Sequence, residues 1–366
     1  MTVGNPKDDN YWNEYDGLQN AKHQLLAAYL GAWFPILASW NGRVLYIDCH
    51  AGRGRHRTGH EGSPILAVRT LVEHRLREKI LAGAEVNFMF IEENKNNFEI
   101  LQREIQALGQ LPNGVKVLPY QEDYEAWLRG LLNRLKDRER KLAPAFAFID
   151  PYGFDISMEL LNQFLQSPRS ELVVNFMYRY VDMSMHNPDQ ADNMDKLFGT
   201  PEWREVAKIE EPDRRAEAAI NLYSGQLKAK YLTQMNMYAE NGTLKYVLVH
   251  ASNHELGREK IKEAIWKVTP DGSFSAFERD NPQQIVLIQA NADLSKLEDR
   301  LWDQFAGKSI DMKALYSWLS GELYLKKHLH ELLRQYRKEG KIKASGYTGK
   351  FVFNQNPTIS FTVKKG

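Results

Sequence analysis

Five short apolar runs between residues 43 and 176, each separated from the next by a stretch with helical spacing, restrict this chain more than any other feature. The runs are Arg43–Asp48 (RVLYID), Val86–Ile91 (VNFMFI), Val115–Leu118, Ala145–Ile149 (AFAFI) and Leu172–Phe176 (LVVNF). Helical patterns fall at Pro64–Arg77, Asn96–Leu108, Tyr124–Leu135 and Met158–Leu165, and residues 21–40 read as one long helix before the first strand. Near-continuous apolar strands alternating with helices predict a parallel sheet covered on both faces.

The pattern then changes. Residues 184–240 are polar, rich in Asp, Asn and Glu, and helical in spacing around Pro212–Tyr231, which suggests an inserted helical subdomain or lid. Leu244–His250, a helix over Glu255–Lys267 and a last run at Gln284–Ile288 bring the strand count to seven. From Ser309 onward, Met312–Leu319 and Tyr324–Glu339 read as amphipathic helices, with Gly340 as a stop signal. Lys341–Ser345 and Lys350–Asn354 then alternate like a hairpin about Gly346–Gly349, the outline of a winged helix. The expected fold is α/β: a Rossmann-like seven-stranded nucleotide-binding sheet with a helical insertion and a C-terminal winged-helix-like domain. The expected boundaries are a core over 1–183, the insertion over 184–240, the last core strands over 241–305 and the winged-helix-like domain over 306–366.

With 43% apolar and 26% charged residues in 366, the composition is that of a globular chain and excludes a disordered or low-complexity one. Lysine plus arginine (48) against aspartate plus glutamate (47) leaves a net charge of +1, so any nucleic-acid affinity must come from a local patch. A single cysteine, Cys49, rules out an intramolecular disulfide and a Cys-rich zinc or iron–sulfur site. The first ten residues lack a secretory h-region, and the longest apolar stretch, around Leu30–Trp40, is shorter than the ~20 residues of a membrane span. A cytoplasmic protein without a membrane segment is expected.

The candidate chemistry sits at the strand ends. The first strand ends at Asp48 and runs into Cys49-His50-Ala51-Gly52-Arg53-Gly54, where glycines permit tight turns and close approach to a ligand. This is not the G-x-G-x-x-G dinucleotide pattern. Asp48, Ala51, Gly52 and Gly54 fit a cofactor that offers ammonium or hydroxyl groups to a carboxylate; the plainer alternative is a tight strand–helix turn. Glu92, ending the second strand, is placed to accept from both hydroxyls of a ribose, or simply opens a helix. Asp123 offers a carboxylate to an adenine amino group beside Tyr124, or is an N-cap. Asp150-Pro151-Tyr152-Gly153-Phe154 closes the fourth strand. Asp150 can accept from a substrate amine, Pro151 fixes the backbone, and Tyr152 or Phe154 can stack on a base, the alternative being a turn. Asp150, Pro151 and Tyr152 are the catalytic candidates. Arg53, Arg55, His56, Arg57 and His60 form a basic run suited to a phosphate or carboxylate, or to solvent. His50, His56 and His60 lack a cysteine or carboxylate cluster, so no metal is expected.

In the tail, Lys326, Lys327, Arg334, Arg337, Lys343 and Lys350 form a basic patch interleaved with Tyr324, Tyr336 and Tyr347, the candidate contact with nucleic acid. Winged helices also serve as dimerisation or docking modules.

The order D-x-x-A-G-x-G (Asp48 to Gly54), Glu92, Asp123 and D-P-Y-G (Asp150 to Gly153) resembles the motif series of class I S-adenosylmethionine-dependent methyltransferases. More narrowly, the chain resembles the bacterial three-Cys-motif partner proteins, TcmP. The matching pieces are Lys22-His23, the glycine loop with Gly62-Ser63-Pro64, Phe90-Ile91-Glu92, Ile149 to Gly153, Asn175-Phe176-Met177-Tyr178 and Leu248–Trp266. The resemblance implies S-adenosylmethionine as cofactor and a partnership with a three-cysteine, radical-SAM-like protein. The glycine loop is also similar to that of rRNA adenine-N6 methyltransferases, whereas D-P-Y-G is closer to the D-P-F-G of tRNA guanine-N2 dimethyltransferases. Two functions are expected from this. One is methyl transfer to an exocyclic amine of a base in RNA or DNA. The alternative is a non-catalytic or regulatory subunit that delivers or recognises nucleic acid for a three-Cys-motif enzyme.

Overall fold

The computed structural model describes residues 15–39, 42–280, 293–349 and 351–363. The chain divides into two compact units, Met1–Ala264 with Phe274–Ile285, and Ile265–Ser273 with Val286–Gly366.

The first unit is built on a large sheet. Its strands are β1 (Arg43–Asp48), β2 (Glu85–Ile91), β3 (Val115–Tyr120), β4 (Ala145–Ile149), β5 (Ser170–Phe176), β6 (Tyr231–Tyr238), β7 (Leu244–Ser252) and β8 (Ser275–Phe277). They lie in the order β3-β2-β1-β4-β5-β7-β6-β8. The first five are mutually parallel, and β7 runs antiparallel between β5 and β6. The α/β class expected from the strand–helix alternation is therefore what the chain forms. Every residue of β4 and β5 is buried, whereas β6 alternates, as a strand covered on one face does. The order reverses beside β1, between β1 and β4. That is the switch point of an open sheet, where the carboxyl ends leave a crevice.

Helix α1 (Gly17–Ala38) opens on Asp16, whose carboxylate accepts from Gln19 N, and lays Leu25, Tyr29, Trp33 and Phe34 on the sheet. There Trp33 and Tyr29 meet Phe146, and Phe34 meets Phe88. Burial of each such aromatic is worth about 1.5–3 kcal/mol. After β1, Gly52 and Gly54 take left-handed backbone angles (φ +59° and +79°). The loop closes where Gly62 N donates to Gly54 O at 2.8 Å, and α2 (Ser63–Val72) begins at once, with Pro64 in its first turn.

Residues 184–240 differ from the expectation of an all-helical insertion. Helices α3 (Ala191–Phe198) and α4 (Pro212–Gln226) are present, but Tyr231–Tyr238 is strand β6. Its Leu and Met residues favour a helix by intrinsic propensity. The override is tertiary: Thr233, Met235 and Met237 face the core at period 2, paired along the buried strand β7. The expected strand Gln284–Ile288 lies outside the described residues.

The second unit holds α5 (Ser295–Phe305), β9 (Ser309–Asp311), α6 (Met312–Ser320), α7 (Lys326–Lys338), β10 (Ile342–Ser345) and β11 (Thr358–Phe361). Leu301, Trp302, Leu315, Leu333, Tyr336 and Ile359 are among its core residues. The hairpin partner differs from the expected one. β10 pairs with Thr358–Phe361, in the sheet order β10-β11-β9, while Phe353–Gln355 form a 3-10 turn. Ile359 and Phe361 alternate inward on β11, and Phe353 turns into the core against His330, which removes 351–354 from strand pairing.

The loop geometry yields a stability prediction. A Cβ at Gly54 would sit 3.0 Å from Leu101 Cδ1 at φ +79°, whereas Gly59, at φ +90°, faces open space. Gly54→Ala should cost about 1–2 kcal/mol from backbone strain and more from packing, so its effect should exceed that of Gly59→Ala in urea denaturation. Equal stabilities of the two variants would contradict this account.

Candidate active site

The carboxyl ends of the parallel strands surround a cavity of about 800 Å³. That volume is within the usual range for a site taking a cofactor-sized ligand. Ala51, Gly52, Glu92, Asp123, Asp150, Pro151 and Tyr152 all line it. Residues from four successive strand ends, separated by up to a hundred positions, therefore share one wall. Asp48 and Gly54 are not among the lining residues, and Asp48 is fully buried.

Asp48 organises the loop from behind. Its carboxylate accepts from His50 N at 3.3 Å, from the Tyr46 hydroxyl at 3.2 Å and from Ser63, which ties β1, the glycine loop and the start of α2 together. Burial raises its pKa to about 7, against the lowering effect of those hydrogen bonds. Glu92 is held by backbone: Oε2 accepts from Gly52 N and Oε1 from Asn94 N, both at 2.8 Å. Asp123 caps its helix by accepting from Ala126 N at 2.8 Å, and its neighbour Tyr124 packs against His50 with ring centroids 4.6 Å apart.

The floor of the cavity is an ion pair. Lys22 Nζ lies 2.5 Å from Asp150 Oδ2, and Asn175 Nδ2 donates to Oδ1 at 2.7 Å. The lysine side chain is 3% exposed and the aspartate 13%, so both charges are largely removed from water. Burial pushes the Asp150 carboxyl up, but the Lys22 ammonium and the two hydrogen bonds outweigh it and hold the group below its ordinary range. Lys22 and Asn175 are legible in the sequence only as pieces of a family resemblance. Nothing in their local sequence marks them as partners of Asp150.

Two neutral imidazoles complete the polar wall. Burial lowers His23 to about 3 and His50 to about 4. His23 Nδ1 is 3.0 Å from the Tyr15 hydroxyl, and Tyr15 stacks flat on His60 at 4.1 Å. The basic run after β1 is mostly spent on neighbours. Arg53 donates to Asn97 at 2.7 Å, and Arg55 pairs with Glu104 at 2.9 Å and Glu61 at 3.6 Å. At the rim, Tyr152 is 57% exposed and Met183 70%, with Tyr180 6.1 Å from Tyr152 between ring centroids. Lys196 of α3 bridges Asp155 at 2.6 Å and Glu125 at 2.9 Å, fixing the loop that carries Tyr152.

In the second unit, Lys326, Lys327, Arg334, Arg337 and Lys343 are exposed, whereas Lys350 lies outside the described residues. The guanidinium of Arg337 stacks over Phe351 at 4.5 Å and donates to the Tyr347 hydroxyl at 3.1 Å, and that of Arg334 lies 5.4 Å over Phe353. Among the described residues no group of three or more His, Cys, Asp or Glu could hold a metal ion, and no helix is long and apolar enough to cross a membrane.

The raised pKa of Asp48 has a sign that can be measured. An acid that titrates higher in the folded state makes unfolding easier as pH rises from its ordinary value of 3.8 to about 7. Asp48→Asn removes that slope, and the hydroxyls of Tyr46 and Ser63 can rotate to accept from the new amide. In urea titrations the variant should gain stability relative to the parent chain between pH 4 and pH 7, levelling off above. A difference independent of pH would refute the buried-acid assignment.

Known proteins show likenesses to this chain. A family model for the GMT-like wHTH domain matches residues 276–349. No curated protein matches the chain. Among solved structures, a Legionella pneumophila protein aligns at 13% identity over 65% of this chain and 85% of its own, with a TM-score of 0.39. An O-methyltransferase from Bacillus cereus in complex with SAH aligns at 12% identity over 69% of this chain and 93% of its own, with a TM-score of 0.35. A SAM-dependent methyltransferase from Agrobacterium tumefaciens aligns at 10% identity over 61% of each chain, with a TM-score of 0.30.

Proposed function

We propose that the chain binds S-adenosylmethionine in the main cavity and transfers its methyl group to an exocyclic amine of a nucleic-acid base. The observation that carries this reading is the convergence of the glycine loop, Glu92, Asp123 and Asp150-Pro151-Tyr152 on one wall. The residues fit the cofactor. Gly52 N and Asn94 N fix the Glu92 carboxylate on the cavity wall, where it is set to accept from ribose hydroxyls. Ala51 and Gly52 bring backbone against the methionine end, with Asp48 and Gly54 acting through the loop they hold. Asp123 and Tyr124 border the adenine position. When bound, the cofactor supplies a methyl group activated by its sulfonium.

The chain's own part is orientation. Asp150 stays ionised beside Lys22, so it accepts N–H donors without taking up the amine's proton, which would pass to water as the nitrogen gains the methyl group and the methyl–sulfur bond breaks to leave a thioether. An amine whose N–H points at Asp150 and at the carbonyl of Pro151 has its lone pair directed away from both. Tyr152 is exposed enough to stack on a planar base. Rate enhancement then rests on positioning and fixed electrostatics.

One observation favours the alternative, a non-catalytic subunit of a three-Cys-motif enzyme. Both oxygens of Asp150 already have partners, Lys22 and Asn175, so an acceptor amine must share them. Calorimetry and a methyl-transfer assay on pooled RNA and DNA separate the two readings. Glu92→Ala should weaken S-adenosylmethionine binding by about ten- to a hundredfold for each ribose hydrogen bond removed. Asp150→Asn should leave that affinity within a few-fold and abolish transfer. Binding by the parent chain without transfer to any nucleic acid would favour the subunit; no binding by the folded protein would sink both readings.

The basic face of the second unit supports contact with RNA or DNA through phosphates, its arginines pre-ordered on aromatic rings. The match to a wHTH family is in keeping with this. Replacing Lys326, Lys327, Arg334 and Arg337 together by alanine should weaken binding alike for all sequences. It should also flatten the salt dependence by about 0.7–0.9 for every phosphate left without its cation. An unchanged salt slope would assign this face to protein docking instead.

A further inference from the structure

Helix α1 is clamped to the sheet at two places. Lys22 joins Asp150 and Asn175 at the carboxyl edge, and two turns further along Tyr29 joins Glu171, near the start of β5. At this second clamp the Tyr29 hydroxyl donates to Glu171, and His250 Nε2 lies 3.1 Å from that hydroxyl and 3.4 Å from the carboxylate. Tyr29, Glu171 and His250 are 1%, 4% and 2% exposed. The main cavity uses none of them.

A second cavity of about 260 Å³ opens beside this clamp. Trp33, Ile36, Leu37 and Leu256 form its apolar side, and the buried Glu171 carboxylate shares the rest of the wall with Arg169, His254 and Lys260. Gly257 adds to the opening: a Cβ there would lie 2.9 and 3.0 Å from the two Glu171 oxygens, so only glycine lets this helix start approach the acid. Of the two cations in the wall, neither has the burial of Glu171. The Lys260 ammonium is held by both oxygens of Glu263 at 2.9 Å, and Arg169 is exposed to solvent. The partners of Glu171 are a hydroxyl and an imidazole, leaving lone-pair positions for a donor from the cavity.

We propose that this cavity is a binding site for a small primary amine with an apolar or aromatic body. Glu171 takes the ammonium, and Trp33, Ile36, Leu37 and Leu256 cover the body. A cavity of about 150 Å³ accommodates benzene, so the larger one here has room for a ring with a short aminoalkyl arm. Charge complementarity selects the amine over a carboxylate of the same shape, because an anion would meet Glu171 in a site with little water to screen it.

The test is calorimetry on the full chain with three probes of matched shape: phenethylamine, 2-phenylethanol and 3-phenylpropionate. Phenethylamine should bind one to one, about tenfold or more tighter than the other two, the difference expected for one charge-assisted hydrogen bond. Glu171→Gln should reduce it to the level of the alcohol. Leu37→Trp fills the cavity without touching the carboxylate and should remove binding of the amine, which keeps the test decisive if the Glu171 variant does not fold. Glu92→Ala, which alters only the glycine-loop side of the main cavity, should leave the binding unchanged, which separates this site from the main cavity and the outcome from that of the methyltransferase reading. Equal affinities for amine and carboxylate, absence of saturable binding, or binding that survives Leu37→Trp would overturn the proposal.

Discussion

The Lys22–Asp150 ion pair is the contact on which the rest of the main site depends. Two charges removed from water cost several kcal/mol each, a cost offset only when geometry and further hydrogen bonds are good. Here Asn175 supplies the additional bond, and the three side chains come from α1, the end of β4 and the end of β5. Removing either charge would leave the other buried and unpaired. The pair therefore fixes where α1 lies over the sheet and keeps Asp150 ionised at the cavity floor.

The glycine loop follows a related logic with backbone in place of a charge. Asp48 gathers His50 N, Tyr46 and Ser63 from behind, while Glu92 gathers Gly52 N and Asn94 N from the front. The loop is held between two carboxylates, one buried and raised in pKa, the other lining the cavity. Gly52 and Gly54 supply the left-handed backbone that lets the chain pass between them. An assembly of this kind presents a ligand with fixed dipoles that need little reorganisation.

The second unit orders its cations in another way. Arg334 and Arg337 rest on Phe353, Phe351 and Tyr347, so the guanidinium groups are ordered in advance on aromatic rings. Two of the aromatics that hold them, Phe351 and Phe353, lie in the segment whose alternation suggests a strand. That segment instead turns inward at Phe353 and leaves pairing with β10 to Thr358–Phe361.

Much of this protein is legible in its sequence because the signals are local. Continuous apolar runs such as AFAFI mark strands buried on both faces, and strand ends carrying Asp48-to-Gly54, Glu92 and Asp150-to-Gly153 mark the edge where the main cavity opens. Gly340 ends its helix as its residue type predicts, with φ +69°. What tertiary structure decided was everything that needs a distant partner. Strand β6 has helix-favouring residues, and pairing with β7 and β8 makes it a strand. Asp48 reads as a cofactor contact, but burial and the Ser63 bond turn it toward the loop. Lys22 finds Asp150 across 128 residues and Tyr29 finds Glu171 across 142, separations at which residue type carries no information about partner. Local pattern specifies which faces must be buried, whereas the pairing of buried charges is settled only when helix and sheet pack.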